Sequence, residues 1–326
     1  ASAPQDEYRR VAAPEIADAS QGDEAQVAIS WAPVDGASHY RILRGVVPNS
    51  AAAQVVGDWQ AASEFTDADA VPGATYYYWV QAAVDAVGGR ASALSTQRDG
   101  YRGLAPVEPQ IIASDEQRVD LGWPAVAGAA VYRVFRSEQP DARQAAPISV
   151  WQTATDFTDN GALPGVTYYY WVRAAADDQG LNAAVFGGSA SGYRVLQNAG
   201  GLSATRGELA GVDLAWSEVS GATHYRIYRG VSADPAASAP LGAWVPSVRY
   251  SDDTAAPGVT YHYWVRSATS ALGHKAGPFG QAAQGFRGLA VPGLLLSSTG
   301  DPDNISIGWQ QVVGATHYQV YRTRDL

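Results

Sequence analysis

A short strand-like phrase ending in tryptophan occurs four times: Val27-Ala28-Ile29-Ser30-Trp31, Val119-Asp120-Leu121-Gly122-Trp123, Val212-Asp213-Leu214-Ala215-Trp216 and Ile305-Ser306-Ile307-Gly308-Trp309. The tryptophans stand 92, 93 and 93 residues apart. One module fills each period, and the 326 residues hold about three and a half copies. Each unit is close to the usual domain size and can bury its own core without disulfides or metal. The chain has no Cys, which removes thiolate nucleophiles and Cys-based zinc sites but leaves the compartment open. A repeated scaffold says little about activity, so function has to be argued from sites.

The composition, 46% hydrophobic and 17% charged with 34 Gly and 18 Pro, is that of an ordered globular chain. A formal charge of −10 argues against nucleic acid or a polybasic membrane surface as partner, since both need clustered positive charge. Lys275 is the only lysine among 22 basic residues; the rest are arginines, suited to stacking and carboxylate pairing. No apolar run reaches membrane-span length, and Ala1 opens no secretory leader. With no Met present, the expectation is a processed chain or a stretch of a longer one.

Between tryptophans the same signals return with period-2 alternation, which reads as all-β. A Gly turn leads to Tyr40-Arg41-Ile42-Leu43-Arg44, repeated as Tyr132-Arg133-Val134-Phe135-Arg136, Tyr225-Arg226-Ile227-Tyr228-Arg229 and Tyr318-Gln319-Val320-Tyr321-Arg322. A second tryptophan follows at Trp59, Trp151 and Trp244, then a turn aspartate at Asp67, Asp159 and Asp252. Next come Pro72-Gly73-Ala74-Thr75-Tyr76-Tyr77-Tyr78-Trp79-Val80 and its copies from Pro164 and Pro257, a tight turn feeding a strongly strand-forming aromatic run.

These markers, in this order, resemble a tandem array of bacterial fibronectin type III modules over essentially the whole chain. The buried strand-B tryptophan matches Trp31, Trp123, Trp216 and Trp309, the strand-C Tyr-x-Val/Ile matches Tyr40-x-Ile42 and its copies, and the Pro-Gly-x-Thr-x-Tyr approach to strand F ends at Tyr76, Tyr168 and Tyr261. The resemblance implies seven-stranded sandwiches, three complete and one partial, in which Tyr76, Tyr168 and Tyr261 return their hydroxyls to the preceding loop. Each copy closes on Gly100-Tyr101-Arg102, Gly192-Tyr193-Arg194 or Gly285-Phe286-Arg287, with Glu7-Tyr8-Arg9 as an earlier echo. The expected boundaries are 1–9 for the end of a preceding module, 10–102, 103–194 and 195–287 for three modules, and 288–326 for strands A to C of a fourth. Two- or three-residue linkers suggest touching neighbours in a semi-rigid rod, at roughly 30 Å per module and on the order of 100 Å in all. A longer natural array is favoured over completion of the half module by a neighbouring subunit.

Enzyme signatures such as His-Glu-x-x-His or Gly-x-Ser-x-Gly are absent, and neither a catalytic residue nor a cofactor or metal is expected. His39, His224 and His317 share one repeat position and read as strand histidines sooner than ligands. Asp67, Asp159 and Asp252, with Asp69, Asn160 and Asp253, read as turn caps sooner than a calcium loop; Asp301-Pro302-Asp303-Asn304 is discounted in the same way.

Strand parity offers one candidate surface. If Tyr76, Tyr78 and Val80 point inward, Tyr77 and Trp79 point outward, as do Tyr169 with Trp171 and His262 with Trp264. Beside them on strand C stand Arg41, then Arg133 with Phe135, and Arg226 with Tyr228, an Arg-aromatic stripe. It is either satisfied within the module by guanidinium stacking or is a contact surface for sugar or another rod. The leading expectation is a non-enzymatic extracellular structural protein, a filament subunit, stalk or adhesin shaft that contacts itself, other surface proteins or polysaccharide. The alternative is a set of spacer or carbohydrate-contacting accessory modules of a secreted polysaccharide-degrading enzyme. Extracellular placement follows from the resemblance alone.

Overall fold

Alternating inward and outward side chains give strands of two to nine residues joined by Gly and Pro turns, and the computed structural model is accordingly all-β, with 42% strand. It describes residues 11–300 and 302–323, apart from the side chain of residue 295. The Glu7-Tyr8-Arg9 echo, the expected module end at 1–9 and Asp301 lie outside these residues. Among the described residues only three single-turn 3-10 segments interrupt the strands, at Ser50–Ala52, Ala142–Gln144 and Pro235–Ala237.

In the first period Ile16–Ala19, Val27–Trp31 and Glu64–Asp67 form one sheet in that order, while Gln21–Asp23, Arg98–Arg102, Thr75–Ala83, His39–Gly45 and Gln54–Gln60 form a second. Side chains from both sheets make one core: Val27, Ile29 and Trp31 from the first pack with Tyr40, Ile42, Tyr78 and Val80 from the second, as in a sandwich. The third period repeats this arrangement, with three strands (Ser203–Ala204, Val212–Ala215, Arg249–Asp252) against five (Arg206–Glu208, Ala283–Arg287, Thr260–Ala268, His224–Gly230, Ala239–Val245). The second has the sheets Asp156–Asp159, Val119–Gly122, Gln110–Ser114 and Ala146–Pro147, Val131–Ser137, Thr167–Ala175, Ala190–Tyr193. Among its described residues the fourth contributes only the pair Leu294–Ser297 and Ile307–Trp309.

The chain divides into two compact units. Of the described residues, one comprises 11–113, 120–159 and 168–192, and the other 114–119, 160–167 and those from 193 to 323, so the division runs through the second period.

In every complete copy the tyrosine-arginine strand lies antiparallel to the aromatic strand, with Leu43 opposite Trp79, Phe135 opposite Trp171 and Tyr228 opposite Trp264. Trp31, Trp123 and Trp216 are buried, each tilted against the first tyrosine of that strand at 5.4–5.8 Å between ring centroids. Trp309 is half-buried and makes the same contact with Tyr318.

Candidate contact surface

The stripe anticipated from parity is not an open aromatic face. Trp79, Trp171 and Trp264 are buried, at 4%, 4% and 2% exposure, which corrects the expectation that they are presented outward. Parity does turn them away from Tyr78 and Val80, but outward is not open here: each indole is buried where it lies. Trp79 lies across Gly45 at the end of the neighbouring strand, where an added Cβ would come within 3.3 Å of the indole. His262 stacks on Trp264 at 6.0 Å, and Tyr169 leans on Trp171 at 6.5 Å.

The remaining members are half-buried and largely engaged within their own copy. Arg41 donates to Gln81 Oε1 at 2.7 Å and lies over Trp59. Arg133 donates to the Ser149 carbonyl and lies between Phe135 and Trp151, and Arg226 donates to the Gly242 carbonyl. Phe135 and Tyr228 each meet a further ring edge-on, Phe186 at 5.0 Å and Phe279 at 4.9 Å. His262 Nε2 accepts a hydrogen bond from the Gln284 side-chain amide Nε2 at 2.8 Å. Tyr77 and Tyr169 remain as partly exposed rings.

The strongest polar constellation involves the second arginine of the strand phrase. Tyr40, Ile42 and Arg44 share the inward face, so Arg44 meets the turn aspartate inside the copy: its Nη1 donates to Asp67 Oδ1 at 2.9 Å and Oδ2 at 2.8 Å. Arg136 meets Asp159 and Arg229 meets Asp252, both at 2.7 Å. The same carboxylates accept from the hydroxyls of Tyr78, Tyr170 and Tyr263 at 2.8–3.0 Å. The aspartates are buried at 1–4% exposure; a carboxylate so placed is tolerable because it is both ion-paired and hydrogen-bonded. Burial, then the adjacent carboxylate, raises all three phenols well above the ordinary tyrosine range. At Asp252 burial pushes the other way, but hydrogen bonds from Thr254, Arg229 and Tyr263 hold the carboxyl below its usual value.

This geometry corrects the assignment of Tyr76, Tyr168 and Tyr261 as the hydroxyls returned to the preceding loop. That bond belongs to the tyrosine two places later, because it is the one facing Asp67 and its copies. The rings of Tyr76, Tyr168 and Tyr261 instead lie under the guanidinium groups of Arg44, Arg136 and Arg229 at 4.6, 4.3 and 4.6 Å. The turn aspartates are likewise more than caps, while Asp69, Asn160 and Asp253 are exposed. His39, His224 and His317 each bond through Nδ1 to the hydroxyl of the preceding Ser38, Thr223 or Thr316. Among the described residues no three His, Cys, Asp or Glu side chains gather in a metal-holding group, and no helix is long and apolar enough to cross a membrane.

No protein-family model matches the chain. A 75-residue stretch, 23% of the chain, is 36% identical to a poly(3-hydroxybutyrate) depolymerase of Ralstonia pickettii and spans 14% of that protein. Among solved structures the FN1-FN3 domains of chicken CNTN1 align over 85% of this chain and 98% of that one, at 14% identity and a TM-score of 0.26.

Proposed function

We propose that this is a non-enzymatic structural repeat segment made of fibronectin type III-like modules at 10–102, 103–194 and 195–287, followed at 288–326 by the first half of a fourth. It works outside the cell as a stalk, adhesin shaft or filament subunit through contacts with itself, other surface proteins or polysaccharide. One observation carries the reading: the charged groups placed identically in every complete copy, Arg44–Asp67–Tyr78 and its two counterparts, are spent on closing that copy. What repeats is a way of holding a fold together, which suits a protein whose product is reach. Electron microscopy of the purified chain tests it. Beaded particles spaced once per period and touching at ends or sides support the reading, and compact particles without that spacing overturn it.

The partial likeness to a depolymerase favours a second reading, spacer modules of a secreted polymer-degrading enzyme, with a polyester substrate as well as the polysaccharide considered above. Co-sedimentation of the chain with poly(3-hydroxybutyrate) granules or cellulose, abolished by Tyr77→Ala with Tyr169→Ala, would favour it over the first.

A further inference from the structure

Only three non-glycine residues among those described have a left-handed backbone, Arg90, Asn182 and Lys275, with φ of 51°, 49° and 49°. They hold one position in three successive copies, and the same turn delivers each. A side-chain oxygen of Asp85, Asp177 or Ser270 accepts backbone N–H groups two and four residues on. A positive-φ glycine at 88, 180 or 273 lies against the indole of Trp59, Trp151 or Trp244, where a Cβ would approach within 2.6–2.7 Å. Left-handed non-glycine residues are uncommon and persist where their surroundings hold them.

Two of these side chains leave their own period. Asn182 Nδ2 donates to the Gly73 carbonyl and to Thr75 Oγ1, both at 2.9 Å. Lys275 Nζ donates to the Gly165 carbonyl at 2.7 Å and to Thr167 Oγ1, with the Tyr193 ring 4.7 Å below it. An amide and an ammonium therefore address the same carbonyl-hydroxyl pair on the Pro-Gly-x-Thr corner of the period before. The corner is approached a second time by Gly128 or Gly221, where a Cβ would stand 2.0 or 2.2 Å from the carbonyl oxygen of Pro72 or Pro164. The third corner supplies the contrast: Gly314 makes the equivalent approach to Pro257, yet Gly258 and Thr260 are exposed where Gly73 and Gly165 are buried and Thr75 and Thr167 half-buried.

We propose that this left-handed position is a latch between consecutive repeats, a donor side chain that reads the carbonyl and hydroxyl of the preceding Pro-Gly-x-Thr corner. The corner is thus an interaction surface, its partner is a repeat presenting an asparagine or lysine on the turn, and the side chain rather than the short linker fixes the joint. This rests on treating the periods as separate modules and is independent of what the array binds.

The sole lysine makes the test direct. In the native full-length chain, amine acylation at Lys275, read by mass spectrometry, should be about 10-fold or more slower than in the urea-unfolded chain, with Thr167→Val recovering most of the difference. Desolvation lowers the Lys275 pKa, which by itself would speed acylation, so slowness is not a charge effect, and its loss in Thr167→Val assigns it to the hydrogen bonds. Acylation at the unfolded rate in the native chain overturns the proposal. Should Thr167→Val not fold, a spin-label pair at Ala62→Cys and Ala154→Cys reports the first joint. Asn182→Ala should broaden the distance distribution there, and an unchanged width in folded protein overturns the latch.

Discussion

Trp216 and Trp309 stand at the same point of successive periods and end in different surroundings. Around Trp216, Val212 and Leu214 are at most 2% exposed, and Tyr225 and Ile227 are at 3% and 0%. Their counterparts Ile305, Ile307, Tyr318 and Val320 are at 68%, 42%, 37% and 56%. His224–Gly230 is a strand paired along its length with Thr260–Ala268, whereas 317–322 is not a strand at all. Yet the local features are shared. The Trp–Tyr centroid distance is 5.6 Å in one and 5.4 Å in the other, Val219 and Val312 are equally buried, and both donate their N–H to the tyrosine hydroxyl. The first half of a copy thus builds its own tryptophan-tyrosine corner, while strand and core come from the aromatic strand that covers it.

The largest expected break in this contrast is at the ion pair. Asp252→Ala removes the carboxylate shared by Arg229 and the Tyr263 hydroxyl, leaving Arg229 only Thr254 Oγ1, and should cost about 3–5 kcal/mol, read as a shifted denaturant midpoint for that copy. Arg322→Ala, at the exposed equivalent of Arg229, should stay within about 0.5 kcal/mol. Packing follows the same line: Ile227→Ala should cost about 2–5 kcal/mol and Val320→Ala close to nothing, so equal effects would show that the two halves are covered alike.

How much of this could be read beforehand depended on whether a signal lived in one strand or in two. The all-β alternation and the tryptophan of each core are local, and they were legible. Burial of Trp79 was not, because parity gives the direction of a side chain and not what lies over it; Gly45, on another strand, makes the slot. Arg44 was legible in principle, since it shares parity with Tyr40 and Ile42 and recurs together with Asp67, but a charge on an inward face has meaning only beside its partner. The latch left no common residue type, Asn182 in one copy and Lys275 in the next, so its signal lay in the turn before it.

A pH titration sharpens the contrast further. Above pH ~10 the unfolded chain ionises tyrosines that stay protonated in the native copies, so the unfolded state binds fewer protons and stability falls, by about 1.4 kcal/mol per pH unit for each of Tyr78, Tyr170 and Tyr263. Tyrosinate absorbance should show these three ionising only as the copies unfold. In acid the sign reverses at Asp252: its stabilisation is present above the ordinary carboxyl value and is lost as pH falls through the depressed native one. Asp252→Asn should flatten that acid limb.

The smallest effect is the most telling about what the halves share. Tyr225→Phe and Tyr318→Phe each remove the acceptor for a loop N–H, Val219 at 2.9 Å and Val312 at 2.7 Å. A net hydrogen bond of this kind contributes about 0.5–1.5 kcal/mol. If the corner forms from local sequence, hydrogen exchange at Val219 and Val312 should quicken by similar factors in the two variants, despite the difference in burial around them. If Val312 already exchanges freely and Tyr318→Phe leaves it unchanged, the corner needs the aromatic strand after all, and the self-building unit is the whole copy and not its first half.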